Sequence, residues 1–234
     1  MRALALSAVA FLSTTACAGI HGSGVVVRSQ PAALPAFTEV QLGGDLDVVI
    51  RRGEPSVALE GGDNVIAAYD VGVEGEALHV RPKPGTSVSS SRTVKVAISL
   101  PVLRAVTASG GVDLLVESGV DQSLSVSLSG GVEVKAGGLA LAVLQVDASG
   151  GVKLELDGSA ETADFKLSGG VTVHADRLAS KTVLLDASGG CDVDVAASEA
   201  ISGQASGGVD ITVQGNPPKS RLETSGGASV RWAD

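Results

Sequence analysis

From Ala105 onward, apolar and polar residues alternate with period two, and the alternation is broken at regular intervals by Ser-Gly-Gly. The stretches leaving each triplet read Val112-Asp113-Leu114, Val132-Glu133-Val134, Val152-Lys153-Leu154, Val171-Thr172-Val173, Cys191-Asp192-Val193, Val209-Asp210-Ile211 and Ala228-Ser229-Val230. The stretches approaching it alternate too. Val106 and Ala108, Val126 and Leu128, Val146 and Ala148, Phe165 and Leu167, and Leu185 and Ala187 enclose Thr107, Ser127, Asp147, Lys166 and Asp186. Strict alternation marks a strand with one buried face, and β-branched residues suit its pleated surface. Each repeat therefore predicts one strand entering the triplet and one leaving it.

The triplets begin at Ser109, Ser129, Ser149, Ser168, Ser188, Ser206 and Ser225, 18 to 20 residues apart. That period is too short for a pair of helices and fits one coil of a β-solenoid. A chain turning sharply between strands needs a residue at positive φ, which Gly adopts without a Cβ clash. Coils stacked about 4.8 Å apart also leave little room at the corner, and the Ser residues are placed to form a hydroxyl ladder there. A weaker inward position falls at Val120, Leu139, Ala160 and Leu178, in the stretch expected to absorb the differences in repeat length. Parallel crossovers are almost always right-handed. The prediction is an all-β fold, a right-handed parallel β-helix or solenoid with about 19–20 residues per coil, capped by a less regular N-terminal region.

That cap is expected over 36–100, with the regular coils over 101–234 and the whole of 36–234 forming one domain. Val40, Leu42, Leu46, Val48 and Ile50 alternate around Gly43-Gly44 as an imperfect coil. Residues 56–59, 69–74, 77–81 and 93–100 read as further strands, and Pro82 to Arg92 as a mobile loop. Trp232 follows the alternation of Ala228 and Val230, so it is expected to point inward and close the last layer. A sticky end that stacks on another molecule is the alternative.

Ahead of the domain, Arg2 precedes an apolar run from Ala3 to Leu12 and then Ser13-Thr14-Thr15-Ala16-Cys17. One positive charge and a short apolar stretch make a secretory signal over 1–17, too short to span a membrane. Ala16-Cys17 resembles the end of a bacterial lipobox, although Thr14 stands where Leu is usual, and this points to lipidation of Cys17. Ala16-Cys17-Ala18 also satisfies the rule for ordinary signal cleavage. Residues 18–35, with Gly, Ser and Pro, read as a tether. The other cysteine, Cys191, sits at an inward Val position and reads as a small buried hydrophobe.

A formal charge of −9 argues against nucleic acid, which needs clustered Lys and Arg. With aromatics at 2%, platforms for base stacking are also missing. The outward residues form two columns, Asp113, Glu133, Lys153, Thr172, Asp192, Asp210, Ser229 and Lys135, Glu155, His174, Asp194, Thr212, Arg231. Mixed charges of this kind ordinarily finish a half-buried sheet face. The sharpest local feature is a polar patch of Asp192, Asp194 and Asp210, which adjacent coils bring together. Three carboxylates suit Ca²⁺ or acid–base chemistry on a polysaccharide, but a flat sheet supplies few of the six or more oxygens a hard cation takes. His21, His79 and His174 lack zinc-ligand spacing. No nucleophile motif or phosphate loop is present, so no catalytic, cofactor or metal residues are assigned.

The ordered series Phe37-Thr38-Glu39-Val40, Gly44-Asp45-Leu46-Asp47-Val48, Val57-Ala58-Leu59-Glu60-Gly61 and Leu78-His79-Val80, ending near Gly215-Asn216-Pro217, is similar to the bacterial "putative auto-transporter adhesin, head GIN domain" family. The likeness covers about residues 35 to 232, with Ser-Gly-Gly where that family often inserts another Ser or Ala. It implies a β-solenoid exported to the cell envelope, at the outer membrane or in the periplasm, often as a lipoprotein, and supplies no catalytic residues. The expected function is a non-enzymatic envelope surface module, adhesin-like or structural, whose partners are the membrane, through its lipid, and a glycan or envelope protein. The alternative is a polysaccharide-active enzyme on a β-helix.

Cys17→Ser is expected to release the protein from membrane fractions. Mass spectrometry of the mature chain decides the point: an unmodified N-terminus at Gly19 would mean plain secretion.

Overall fold

In the computed structural model, residues 19–20, 25–29, 34–88 and 94–233 are described. Among the described residues the protein is all-β apart from one helical turn, Asp63–Ile66, which the alternation pattern did not announce. Its architecture is an elongated mixed sheet in which successive repeats lie side by side in parallel register. The repeat strands are β9 (Leu103–Val116), β10 (Val120–Gly189), β11 (Asp192–Gly207), β12 (Asp210–Gln214), β13 (Lys219–Gly226) and β14 (Ser229–Ala233). The continuity of β10 over 70 residues means that the chain stays extended through its corners.

Register follows the repeat. Ser129, Gly130 and Gly131 pair with Ser109, Gly110 and Gly111, and Ser188 and Gly189 pair with Ser206 and Gly207. Side chains expected inward are buried: Val126, Leu128, Val132 and Val134 in one repeat and Phe165, Leu167, Val171 and Val173 in another are at most 5% exposed. Leu139, Ala160 and Leu178 are buried as well, whereas Val120 and, in the final repeat, Ala228 and Val230, also expected inward, are only half-buried. The length differences fall where the pattern was weakest, as register shifts between Val120 and Ser125 and between Ala175 and Thr182.

The first glycine of each triplet carries the corner. Gly110, Gly130, Gly150, Gly169, Gly189 and Gly207 all have φ between 95° and 99°. Each lies over its counterpart in the neighbouring repeat. A Cβ on Gly150 would stand 2.9 Å from the Gly130 carbonyl oxygen and 3.0 Å from its nitrogen. The second glycine differs. A Cβ on Gly151 would meet only the Gly130 oxygen, at 3.9 Å, and its φ is ordinary. Nothing in the structure explains why Gly stands there. The serines do not form a hydroxyl ladder. The Oγ of Ser109 and of Ser149 each donate to a carbonyl one layer away, Leu42 O and Leu128 O, both at a long 3.5 Å.

At the other end the chain order departs from the stacking order. β3 (Glu39–Arg52) is the first regular layer and pairs along its length with β9, Gly44 opposite Gly110. Its other edge pairs with β6 (Ala77–Pro82) and β8 (Val94–Leu100), both parallel to it. Beyond them the pairing turns antiparallel: β5 (Tyr69–Glu74) on β6, β4 (Ser56–Gly62) on β8, and β2 (Val26–Ser29) on β4. The chain thus completes one layer, leaves it to form a cap on the outer side, and returns on the inner side. Where a free tether was expected over 18–35, Val26–Ser29 adds an edge strand, and β1 (Gly19–Ile20) pairs with β7 (Ser87–Val88). Antiparallel strands and a helical turn break the repetitive edge that another chain would otherwise extend.

The glycine column ends under this cap. A Cβ on Gly44 would stand 2.8 Å from Tyr69 Oη and 3.0 Å from Pro82 Cγ, so these side chains occupy the place of a further layer. Tyr69 is buried, and its hydroxyl donates to Asp45 O at 3.4 Å. The far end is closed less well. Trp232 pairs in register with the fully buried Val213 yet is 48% exposed, so the inward capping role expected of it is not met. Its counterparts Ala136, Leu156 and Val195 are buried because a further layer covers them. Among the described residues no strand pairs beyond β14 to cover Trp232. Cys191 is a free, buried thiol at the inward position expected of it.

Two outcomes follow. Gly150→Ala forces a Cβ into a positive-φ, close-contact site and is expected to lower stability by about 1–3 kcal/mol, whereas Gly151→Ala stays within about 0.5 kcal/mol; denaturant titration of both compares them directly. Tyr69 is the single tyrosine, so absorbance reads its ionisation alone. Burial pushes its pKa up to about 12, from an ordinary value near 10. Because the folded value is the higher one, this stabilisation is complete below pH ~10 and lost as pH rises through ~12. Tyr69→Phe is expected to flatten alkaline unfolding in that window.

Candidate functional site

The outward side chains on the strands leaving the corner form the two expected columns. Register sets Glu133 beside Asp113, Thr172 beside Asp192, Asp192 beside Asp210, and Asp210 beside Ser229. Their charges are largely used against each other. Lys135 lies 3.0 Å from Glu133 and 3.8 Å from Glu155, while Lys153 lies 2.6 Å from Glu155 and 3.7 Å from Glu133. The four form a checkerboard, with opposite charges adjacent both along a strand and across layers. A hydrogen bond from Lys135 holds the Glu133 carboxyl below the usual carboxylate range, and one from Lys153 does the same for Glu155.

The polar patch is assembled in part. Asp192 and Asp210 are register partners, and Asp194 shares the Asp192 strand. Asp194 is engaged by His174, Nδ1 to Oδ2 at 3.0 Å, and Asp210 accepts from the Ser229 hydroxyl at 2.5 Å. Side chains at neighbouring positions on one sheet face stand parallel and do not converge on a point. Among the described residues no three His, Cys, Asp or Glu side chains group as metal ligands. His79 is buried in β6, 3.4 Å from Asp70, and His174 lies far along the stack on β10. Cys17 and His21 lie outside the described residues.

A concavity lies on the other face, beside the strands that approach the corner. A shallow trough of about 540 Å³ crosses five successive layers. Its wall is the column Thr107, Ser127, Asp147, Lys166 and Asp186, and its rim carries the hydroxyls of Ser129, Ser149 and Ser168. The backbone beside Leu128, Ala148 and Leu167 lines it too, with those side chains turned into the core. Among the described residues, no charge of this wall has an ion pair within 4.0 Å: neither Lys166 nor Asp147 nor Asp186 is matched as the checkerboard residues are. The alternation pattern marked these positions only as facing water. The signal that would have found them is their constant offset, each three residues before the first glycine of a triplet, which stacks them in one column.

A second hollow, of about 390 Å³, lies on the cap. Charges edge it: Arg28 is bonded to Glu60 and Arg51 to Glu117.

Stacked β-repeats with self-paired polar faces and a long shallow trough define a class of repeat protein that presents surface. A family model, described as "Putative auto-transporter adhesin, head GIN domain", matches residues 36–217, and the chain belongs to that family. Solved structures share the fold. One described as a "putative adhesin" from Bacteroides fragilis has a TM-score of 0.81 at 19% identity, covering 92% of this chain and 100% of that one. A "putative lipid binding protein" from Parabacteroides distasonis has a TM-score of 0.71 at 15% identity, covering 93% and 100%. A "putative adhesin" from Parabacteroides merdae has a TM-score of 0.65 at 16% identity, covering 92% and 99%. No curated protein matches the chain.

Proposed function

We propose that the chain is a non-enzymatic, adhesin-like module of the bacterial cell envelope. It is exported, held to a membrane by a lipid on Cys17, and shaped as a right-handed parallel β-solenoid. Membership of the adhesin family supports the function. The parallel register at one-repeat offsets supports the solenoid, and parallel crossovers are right-handed in nearly all folds. The charged start, short apolar run and Ala16-Cys17 support the anchor. Residues 1–17 then carry the export signal and, at their end, the retained and lipidated Cys17, and 36–234 form the displayed domain. The patch of Asp192, Asp194 and Asp210 belongs to the solvated face of that display.

The observation that carries the reading is the arrangement of the carboxylates. Glycoside hydrolysis needs two carboxyl groups flanking one bond from different sides. In the trough, Asp147 and Asp186 belong to a single column on one wall, with Lys166 between them. They address a ligand from the same side, which suits binding and not cleavage.

The test pairs attachment with turnover. Cells lacking the gene are expected to adhere less to glycan-coated or envelope-coated surfaces, and purified protein to release no reducing ends from envelope polysaccharides. Unchanged adhesion, or steady release of reducing ends, would overturn the proposal.

A further inference from the structure

Within that reading of the chain as a binding module, we infer that the trough along Thr107, Ser127, Asp147, Lys166 and Asp186 is the binding site, and that its occupant is a neutral, hydroxyl-rich linear polysaccharide lying along the stack axis.

The shape comes first. The trough runs across layers, perpendicular to the strands. Five layers at about 4.8 Å give it a length of roughly 19 Å. It is open along its length, so a chain can lie in it without threading. Its groups repeat at the layer spacing, since Asp147, Lys166 and Asp186 stand at the same offset from the stacked glycines Gly150, Gly169 and Gly189. A polymer of like units meets one polar group, hydroxyl, carboxylate or ammonium, at each layer.

Charge then narrows the occupant. Residues 1–104 carry nine Lys and Arg against nine Asp and Glu, whereas residues 105–234 carry eight against seventeen. The whole excess of negative charge is in the repeats. The wall itself has one cation between two carboxylates, and Asp164 lies two residues before Lys166 on its strand. An anionic polymer, whether nucleic acid or acidic glycan, is repelled by this surface. A neutral polyol is not. Its hydroxyls donate to Asp147 and Asp186, accept from Lys166, and exchange both roles with the serines.

Among the described residues Asp113 and Asp192 on the neighbouring face also lack an ion pair, but only Asp147, Lys166 and Asp186 bring such charges to the lining of this trough. On the neighbouring face Glu133, Lys135, Lys153 and Glu155 consume one another. A ligand there would have to break ion pairs to gain hydrogen bonds. In the trough Lys166, Asp147 and Asp186 keep their hydrogen-bonding capacity open, on a rigid strand scaffold, so little is lost in reorganisation. An extended peptide fits less well. Strand addition needs a free sheet edge and side-chain pockets, and here the backbone faces outward in the middle of a ladder.

The probe is affinity electrophoresis of the mature full-length chain through gels containing laminarin, dextran, galactomannan or, as the anionic control, polygalacturonate. At least one neutral polymer is expected to retard the protein. Lys166→Met and Asp147→Asn should each weaken that retardation at least tenfold, and Lys153→Met on the next face should leave it unchanged. The three variants should melt alike, since all three side chains are at the surface. Equal retardation of wild type and Lys166→Met would overturn the site. Retardation by polygalacturonate alone would overturn the occupant. If no neutral polymer retards the protein while cell adhesion still depends on it, the trough assignment fails and the adhesive reading stands; if adhesion is also independent of it, both fail.

Discussion

One close contact governs this molecule: the seating of a positive-φ glycine on the backbone of the glycine in the layer beneath. From Gly110 to Gly207 every corner has this geometry, and a Cβ on any of them would fall about 3 Å from a carbonyl oxygen below. The corner makes each repeat bend at the same place. Identical bends let neighbouring repeats pair over both flanking strands at once, and this burial turns thin aliphatic rows into one core. No single repeat could bury its apolar face alone. A layer slipped by one residue would turn its buried side chains to solvent, so the glycine column and the apolar alternation enforce the same register.

Repetition of this kind creates an end problem, and the two ends meet it differently. At the N-terminal side the chain spends β2, β4, β5, β6 and β8 on closure. Parallel pairing changes to antiparallel, and Tyr69 with Pro82 fills the position above Gly44 where another layer would sit. At the opposite side β13 and β14 form the last layer, and Trp232 is only half covered. The difference lies in what stands over the last apolar row, since a side chain of any size is buried only when atoms lie on both of its sides.

The outer surface shows two ways of treating charge. Beyond the corner, Glu133, Lys135, Lys153 and Glu155 pair in two directions, leaving a neutral mosaic. Ahead of the corner, Asp147, Lys166 and Asp186 line a hollow and, among the described residues, have no ion pair within 4.0 Å. Residue-level chemistry alone would have favoured Asp192, Asp194 and Asp210, but His174 and Ser229 already occupy two of these carboxylates, and a flat face does not gather them.

The amino-acid sequence by itself determined the strands of the repeats, their inward residues, the corner positions and the place where irregular lengths are absorbed. All of these are local consequences of period-two alternation and of glycine's φ, and they recur from repeat to repeat. It also showed Val40 to Ile50 around Gly43-Gly44 to be a related layer. Only the tertiary structure decided that this layer lies against β9, some 66 residues away in register, with the cap inserted between them in sequence and placed outside them in space. It also decided that Val26–Ser29 joins the cap, that Ser109 and Ser149 bond to carbonyls, and that Trp232 is half exposed. Each of these depends on which layer is the neighbour, and alternation says which way a side chain points without saying what stands opposite it.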